Sequence, residues 1–186
     1  MMRVVLIFVL LMMTVVLQAQ DVEFFREDLE FRLRVDEFSV NGLYYFRNPA
    51  AHPVKQVLFY PFPDEALYGK VSEVFATQLP DSASCFISRT TTGAMIRLEI
   101  PPKYEKVLRI GYTQHPPGNF AKYIITTTQN WEKPFELANY VLIVPDDLEI
   151  KSFSIPPDDF VDQKNATIYS WKRKDFMPQV DFEFTF

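Results

Sequence analysis

From residue 29 to 36 the chain alternates strictly. Leu29, Phe31, Leu33 and Val35 are apolar, while Glu30, Arg32, Arg34 and Asp36 are charged. Successive side chains of a strand point to opposite faces, so this run reads as a strand with one buried face and one wet face. The same period returns over 38–46, interrupted by Asn41-Gly42, a pair that fits either a tight hairpin turn or a bulge. At the far end Val180, Phe182, Phe184 and Phe186 alternate with Asp181, Glu183 and Thr185. Shorter strand-like runs lie at 57–60, 71–79, 85–90, 95–100, 106–113, 120–128, 140–144, 148–155 and 167–172, most of them bounded by proline, glycine or aspartate. No segment holds a 3.6-residue apolar period over three turns, and single helical turns are expected only near 64–67 and 134–138. The pattern predicts an all-β protein: a single antiparallel β-sandwich of about ten to twelve short strands, in one domain over 21–186.

The first twenty residues stand apart. Met1-Met2-Arg3 precedes an apolar run over 4–17, and Gln18-Ala19-Gln20 leads into Asp21. A positive start, an apolar stretch and a small residue before a cleavage point are the parts of a secretory signal peptide. The run is short of the ~20 apolar residues that a membrane-spanning helix needs. Residues 1–20 are therefore expected to be a signal peptide, and the mature chain is expected to begin at Gln20 or Asp21. It would be secreted, periplasmic or at the cell surface, and not an integral membrane protein once cleaved. Cys85 is the single cysteine, so no internal disulfide can form, and export without disulfides fits a bacterial envelope. A formal net charge of −5, with no basic run longer than Lys172-Arg173-Lys174, argues against a nucleic-acid partner.

Catalytic and cofactor motifs are not seen. His52 and His115 each precede a proline and are expected in exposed turns. The sequence contains no His-Glu-x-x-His, no Gly-x-Ser-x-Gly and no glycine-rich phosphate loop, so no metal and no cofactor is expected. Acidic pairs recur at Asp64-Glu65, Asp146-Asp147 and Asp158-Asp159, the last followed by Asp162. Most read as turn formers. A calcium loop over 158–165 has the residue types without an established ligand spacing.

One contact surface is expected at a sheet rim. If 106–113 pairs antiparallel with 120–128 through the His115 loop, then Lys103 and Tyr104 come to lie beside Asn130, Trp131 and Glu132. Two aromatic side chains among amides and charges suit contact with a sugar or a peptide. The competing reading has the Trp131 indole plugging the edge of the core.

The segment LYYFRNPAAHPVKQVLFYPFPDEA over 43–66 joins an aromatic strand, an Asn-Pro turn and a strand ending in Pro-Phe-Pro plus acid. With Tyr169-Ser170-Trp171, Asp175-Phe176-Met177-Pro178 and Asp181-Phe182-Glu183-Phe184, it resembles several extracytoplasmic β-sandwiches. These are the N-terminal sandwich of gluzincin aminopeptidases, the vault/inter-alpha-trypsin domain and uncharacterised exported bacterial domains. The resemblance implies a β-sandwich scaffold. It implies no peptidase activity, because the zinc motif of the gluzincins is missing here. The expected function is a non-enzymatic binding or assembly module of the bacterial cell envelope, its partner a protein or glycan found there. Strand donation by the C-terminal strand or by 22–25 is one form this could take. The alternative is a hydrolase of envelope glycans or peptides using a carboxylate pair.

Overall fold

Alternating residues become strands because one face can be buried while the other stays hydrated. In the computed structural model, which describes residues 22–186, β1 (Glu23–Leu33) pairs antiparallel with β2 (Phe38–Arg47), setting Leu29 opposite Gly42 and Phe31 opposite Val40. Neither turn nor bulge interrupts β2 at Asn41-Gly42. Gly42 serves a packing need instead: a Cβ there would stand 2.5 Å from the Tyr44 ring and 2.6 Å from Leu29. The irregularity falls in β1, where Phe25 is an extra residue between the pairs Phe24–Phe46 and Arg26–Tyr45. An extra residue reverses the facing of everything after it. Phe24 points inward before the bulge, and Glu27, Leu29, Phe31 and Leu33 point inward beyond it.

The chain continues through β3 (Val54–Pro61), α1 (Glu65–Tyr68), β4 (Lys70–Leu79), β5 (Ala83–Ser84), β6 (Phe86–Arg89), β7 (Gly93–Ile100) and β8 (Glu105–His115). After β9 (Phe120–Tyr123) comes a 3-10 helix, Thr126–Trp131. Then follow β10 (Phe135–Pro145), β11 (Ser152–Phe153), β12 (Asp159–Gln163), β13 (Ala166–Phe176) and β14 (Phe182–Thr185). An eight-stranded sheet runs in the order β12-β13-β10-β1-β2-β8-β4-β5, and two three-stranded sheets run β11-β14-β9 and β3-β7-β6.

The all-β class stands, and the expected architecture is corrected. The described residues form fourteen strands in three sheets, not ten to twelve in one antiparallel sandwich, and β1 pairs parallel to β10. The expected hairpin of 106–113 with 120–128 does not form. β8 lies between β2 and β4, while β9 belongs to another sheet and pairs with β14. Both edges of β8 are already hydrogen-bonded, to β2 on one side and β4 on the other, so no edge remains for β9. The run over 120–128 stops as a strand at Tyr123, and 148–155 keeps only Ser152–Phe153. Instead of a helical turn at 134–138, β10 begins at Phe135. The other expected turn is present as α1, whose first turn is capped by Asp64 Oδ1 accepting from Ala66 N at 2.8 Å. β14 pairs within its own sheet, and 23–25 lies in β1, so both proposed strand donors are used internally.

Both small sheets pack on one face of the large one. Phe31 stacks on Phe182 with centroids 5.0 Å apart, Phe38 meets Phe184 at 5.4 Å, and Tyr112 meets Phe62 at 5.5 Å. Trp171 is buried against Phe182 at 4.7 Å, and its indole N–H donates to Ile155 O at 2.9 Å. Cys85 is buried, as a small apolar side chain. Among the described residues no helix is long and apolar enough to cross a membrane. The expected signal peptide over 1–20 lies outside the described residues.

Gln114 on β8 is wholly buried, and neither its Oε1 nor its Nε2 has a hydrogen-bond partner among the described residues. An unpartnered buried polar group costs roughly 1–3 kcal/mol. Gln114→Met is therefore expected to raise the free energy of unfolding by about 1–2 kcal/mol in urea titrations. A lower midpoint would overturn that assignment.

Candidate functional site

The second layer is split. β3 ends the β3-β7-β6 sheet and β9 ends the β11-β14-β9 sheet, so two strand edges stand on either side of a gap above the large sheet. A cavity of about 380 Å³ occupies this gap. One wall is the stretch 56–61 of β3, and the other runs from Tyr123 through Ile125 and Thr128 to Trp131. The floor belongs mainly to β1 and β2, through Phe24, Glu27, Tyr44 and Phe46.

At one end the cleft is closed by tyrosine hydroxyls. Tyr44 Oη lies 2.9 Å from Tyr60 Oη and 2.7 Å from Tyr123 Oη, so one residue from each sheet meets at this point. Burial holds the ionisation of all three well above the usual phenol range, and they stay neutral. Gly42 makes the arrangement possible by leaving space beside the Tyr44 ring.

Glu27 is the chemical centre of the floor. It is 2% exposed and faces inward because of the Phe25 bulge, whereas its neighbour Asp28 faces outward. Asp28 accepts from Arg26, Tyr45 and Asn139 on that outer face. Glu27 Oε1 accepts from Tyr140 Oη at 2.5 Å, the one hydrogen bond to its side chain among the described residues. Burial pushes its carboxyl up to about 8; the Tyr140 hydrogen bond pulls the other way, and the charge of Asp28 adds to the rise. At neutral pH the group is mostly a neutral acid.

Of the five residues expected at a sheet rim, two line the cleft. Asn130 and Trp131 line the cleft, and the Trp131 ring lies 5.7 Å from both Phe24 and Phe46. Tyr104 is 58% exposed and lies outside the lining, as do Lys103 and Glu132. Lys103 Nζ donates to Pro49 O, and Glu132 N donates to Gln129 O at 3.1 Å. The pairing that would have joined the two groups, β8 with β9, is the one that does not form. Glu27 was missed at the sequence level although a signal was present: it shares parity with Leu29, Phe31 and Leu33, which places an acid on the apolar face.

The other candidate groups have local roles. His52 and His115 are both exposed, and His115 Nδ1 lies 3.2 Å from Asp36 O. Asp64 caps α1, Asp158 pairs with Arg173, and Asp162 accepts from Thr167 at 2.9 Å. Much of the expected loop over 158–165 is strand β12. Among the described residues no group of three or more His, Cys, Asp or Glu is placed to hold a metal ion.

No family model matches the chain. No curated protein sequence matches it either. Solved structures do. A protein from Legionella pneumophila, whose description as nutrient-binding is itself provisional, superposes with a TM-score of 0.71 at 12% identity, over 89% of this chain and 67% of that one. The M1 zinc metallopeptidase of Deinococcus radiodurans superposes with a TM-score of 0.54 at 12% identity, also over 89% of this chain. The chain spans 42% of that peptidase. The same enzyme's E323A mutant with a Tyr-Ser-Ala substrate gives 0.54 and 43%. At this identity the likeness establishes the fold and no more: the chain is similar to the β domains of these proteins, as the 43–66 segment implied.

Proposed function

We propose that the protein is an exported, non-enzymatic binding module of the bacterial cell envelope that holds a small molecule in the cleft between β3 and the β9 edge. The observation that carries this reading is the cleft itself, with a buried carboxyl on its floor and aromatic rings around it. Its volume of about 380 Å³ falls within the ~300–1,000 Å³ of ligand pockets. The nutrient-binding description of the Legionella neighbour is in keeping with it. Export rests on the character of residues 1–20. A small molecule suits the cleft better than the protein or glycan partner expected from the sequence, because the hydroxyls of Tyr44, Tyr60 and Tyr123 meet within it and its volume is about 380 Å³. For the hydrolase alternative a carboxylate pair is needed, and Glu27 is the one carboxyl in the lining among the described residues.

The test is a panel of small metabolites followed by protein-observed NMR. Binders are expected to move the Trp131 indole signal and the methyl groups of Ile96 and Ile125. Trp131→Ala should weaken them at least about tenfold and cost about 1–2 kcal/mol of stability, less than the ~3–5 of a fully buried tryptophan. A panel with no binders, or with binders that act only on surfaces away from the cleft, would sink the reading.

A further inference from the structure

We infer that the cleft recognises a small organic ammonium ion, with the Glu27 carboxylate as its counter-charge and the surrounding aromatic rings as its cage. This deepens the small-molecule reading above and rests on it.

Three features point the same way. First, Glu27 has no cationic partner among the described residues. Among the described residues no lysine or arginine lines the cleft, and the nearest in sequence, Arg26, is held by Asp28 on the opposite face of the sheet. Second, the side chain receives a single hydrogen bond, from Tyr140, which leaves its second oxygen without a protein donor among the described residues. Third, the rings of Phe24, Tyr44, Phe46 and Trp131 surround the same space. Aromatic rings attract cations through their quadrupole, most strongly where water is excluded. A carboxyl buried without a counter-charge costs folding free energy, and a ligand that is neutral would be served as well by glutamine or leucine. An anion finds no positive group in this lining. A hard metal cation needs several oxygen ligands, and Glu27 alone cannot supply them.

Arrival of a cation favours the ionised form of Glu27, so a proton leaves as the ligand enters. The groups facing Glu27 are Tyr140 from β10, Tyr44 from β2, Tyr60 from β3 and Tyr123 from β9, with Asp28 beside it in the chain. Burial keeps those tyrosines neutral well beyond the phenol range, and the Asp28 carboxyl sits below its usual value through its hydrogen bonds with Arg26, Asn139 and Tyr45. Glu27 is therefore the group in this cluster that titrates between about pH 6 and 9, so binding strengthens as pH rises over that interval.

Calorimetry with choline and its uncharged isostere 3,3-dimethyl-1-butanol tests this. Choline carries a permanent charge, so any pH dependence belongs to the protein. We expect choline to bind at least about tenfold tighter than the isostere, and to gain about tenfold or more from about pH 6 to 9. Glu27→Gln, which keeps an acceptor for Tyr140, should abolish both effects. Trp131→Leu, which keeps apolar bulk but removes the ring, should weaken choline alone, and it serves if the Glu27 variant does not fold. Equal affinity for the two probes would overturn cation recognition and leave the small-molecule reading standing. Absence of choline binding at either pH would overturn it too. A metabolite panel without binders at the cleft would remove both readings together.

Discussion

Glu27→Gln is expected to unfold at higher urea than the parent protein at about pH 9 and at nearly the same urea at about pH 4. The buried carboxyl titrates near 8 in the folded protein, against the ordinary range of an exposed glutamate when the chain is unfolded. Because the folded pKa is the higher one, the contribution to stability is full below the unfolded pKa. It is lost as pH rises toward 8, then levels off. The full loss is on the order of 5 kcal/mol. Asp28 and Asp181 act in the opposite sense: burial alone would raise their carboxyls, but hydrogen bonds with Arg26, Asn139 and Tyr45, and with Thr126 and Lys122, outweigh it and hold them low. Their stabilisation is lost as pH falls. The difference between variant and parent isolates Glu27 from these. Parallel pH curves for the two proteins would show that Glu27 is not buried as described.

Phe182→Ala is expected to cost about 3–5 kcal/mol, as removal of a buried aromatic side chain typically does. Phe182 is 1% exposed and joins the β11-β14-β9 sheet to the large one. Its ring stacks on Phe31 at 5.0 Å, meets Trp171 edge-on at 4.7 Å and Tyr140 at 6.0 Å. Little backbone movement could refill that space, since strands on both sides are hydrogen-bonded into sheets. For a domain of this size the melting temperature should fall by roughly 10 °C. Phe182 is also paired with Tyr123 across β14 and β9, so the cleft should lose its ligand in the same variant. Val180→Ala, at a side chain 49% exposed, serves as the control and is expected to stay within about 0.5 kcal/mol of the parent. A similar small change at Phe182 would contradict the packing of the small sheet.

Strand content was legible because alternation is a local property. Leu29, Phe31 and Leu33 on one face, and Phe182, Phe184 and Phe186 on another, are buried as their period requires. Val35 departs from it: β1 has already ended at Leu33, and the side chain is 68% exposed. The 3-10 helix over Thr126–Trp131 was hidden because its threonines have the β-branched composition of a strand. Trp131 and Asn130 were singled out for their chemistry and do line the cleft, but they were joined to Tyr104 through a hairpin that sequence proximity favoured and that the pairing of β8 with both β2 and β4 excludes.

By itself the sequence determined the all-β class, the buried faces over 29–33 and 182–186, and one of the two expected helical turns, at 64–67, since each depends on neighbours within a few residues. Only the tertiary structure decided which strands pair, that the second layer divides in two, and that the division leaves a cleft. The chemical character of Glu27 belongs to the same level. Its side chain is uncharged at neutral pH because Tyr44, Tyr60, Tyr123 and Tyr140 are brought around it from four other strands and exclude water. The parity of Glu27 with Leu29 and Phe31 marks the face it lies on, but not the loss of water around it. Desolvation is a property of the space a side chain occupies, and that space exists only once distant strands have packed.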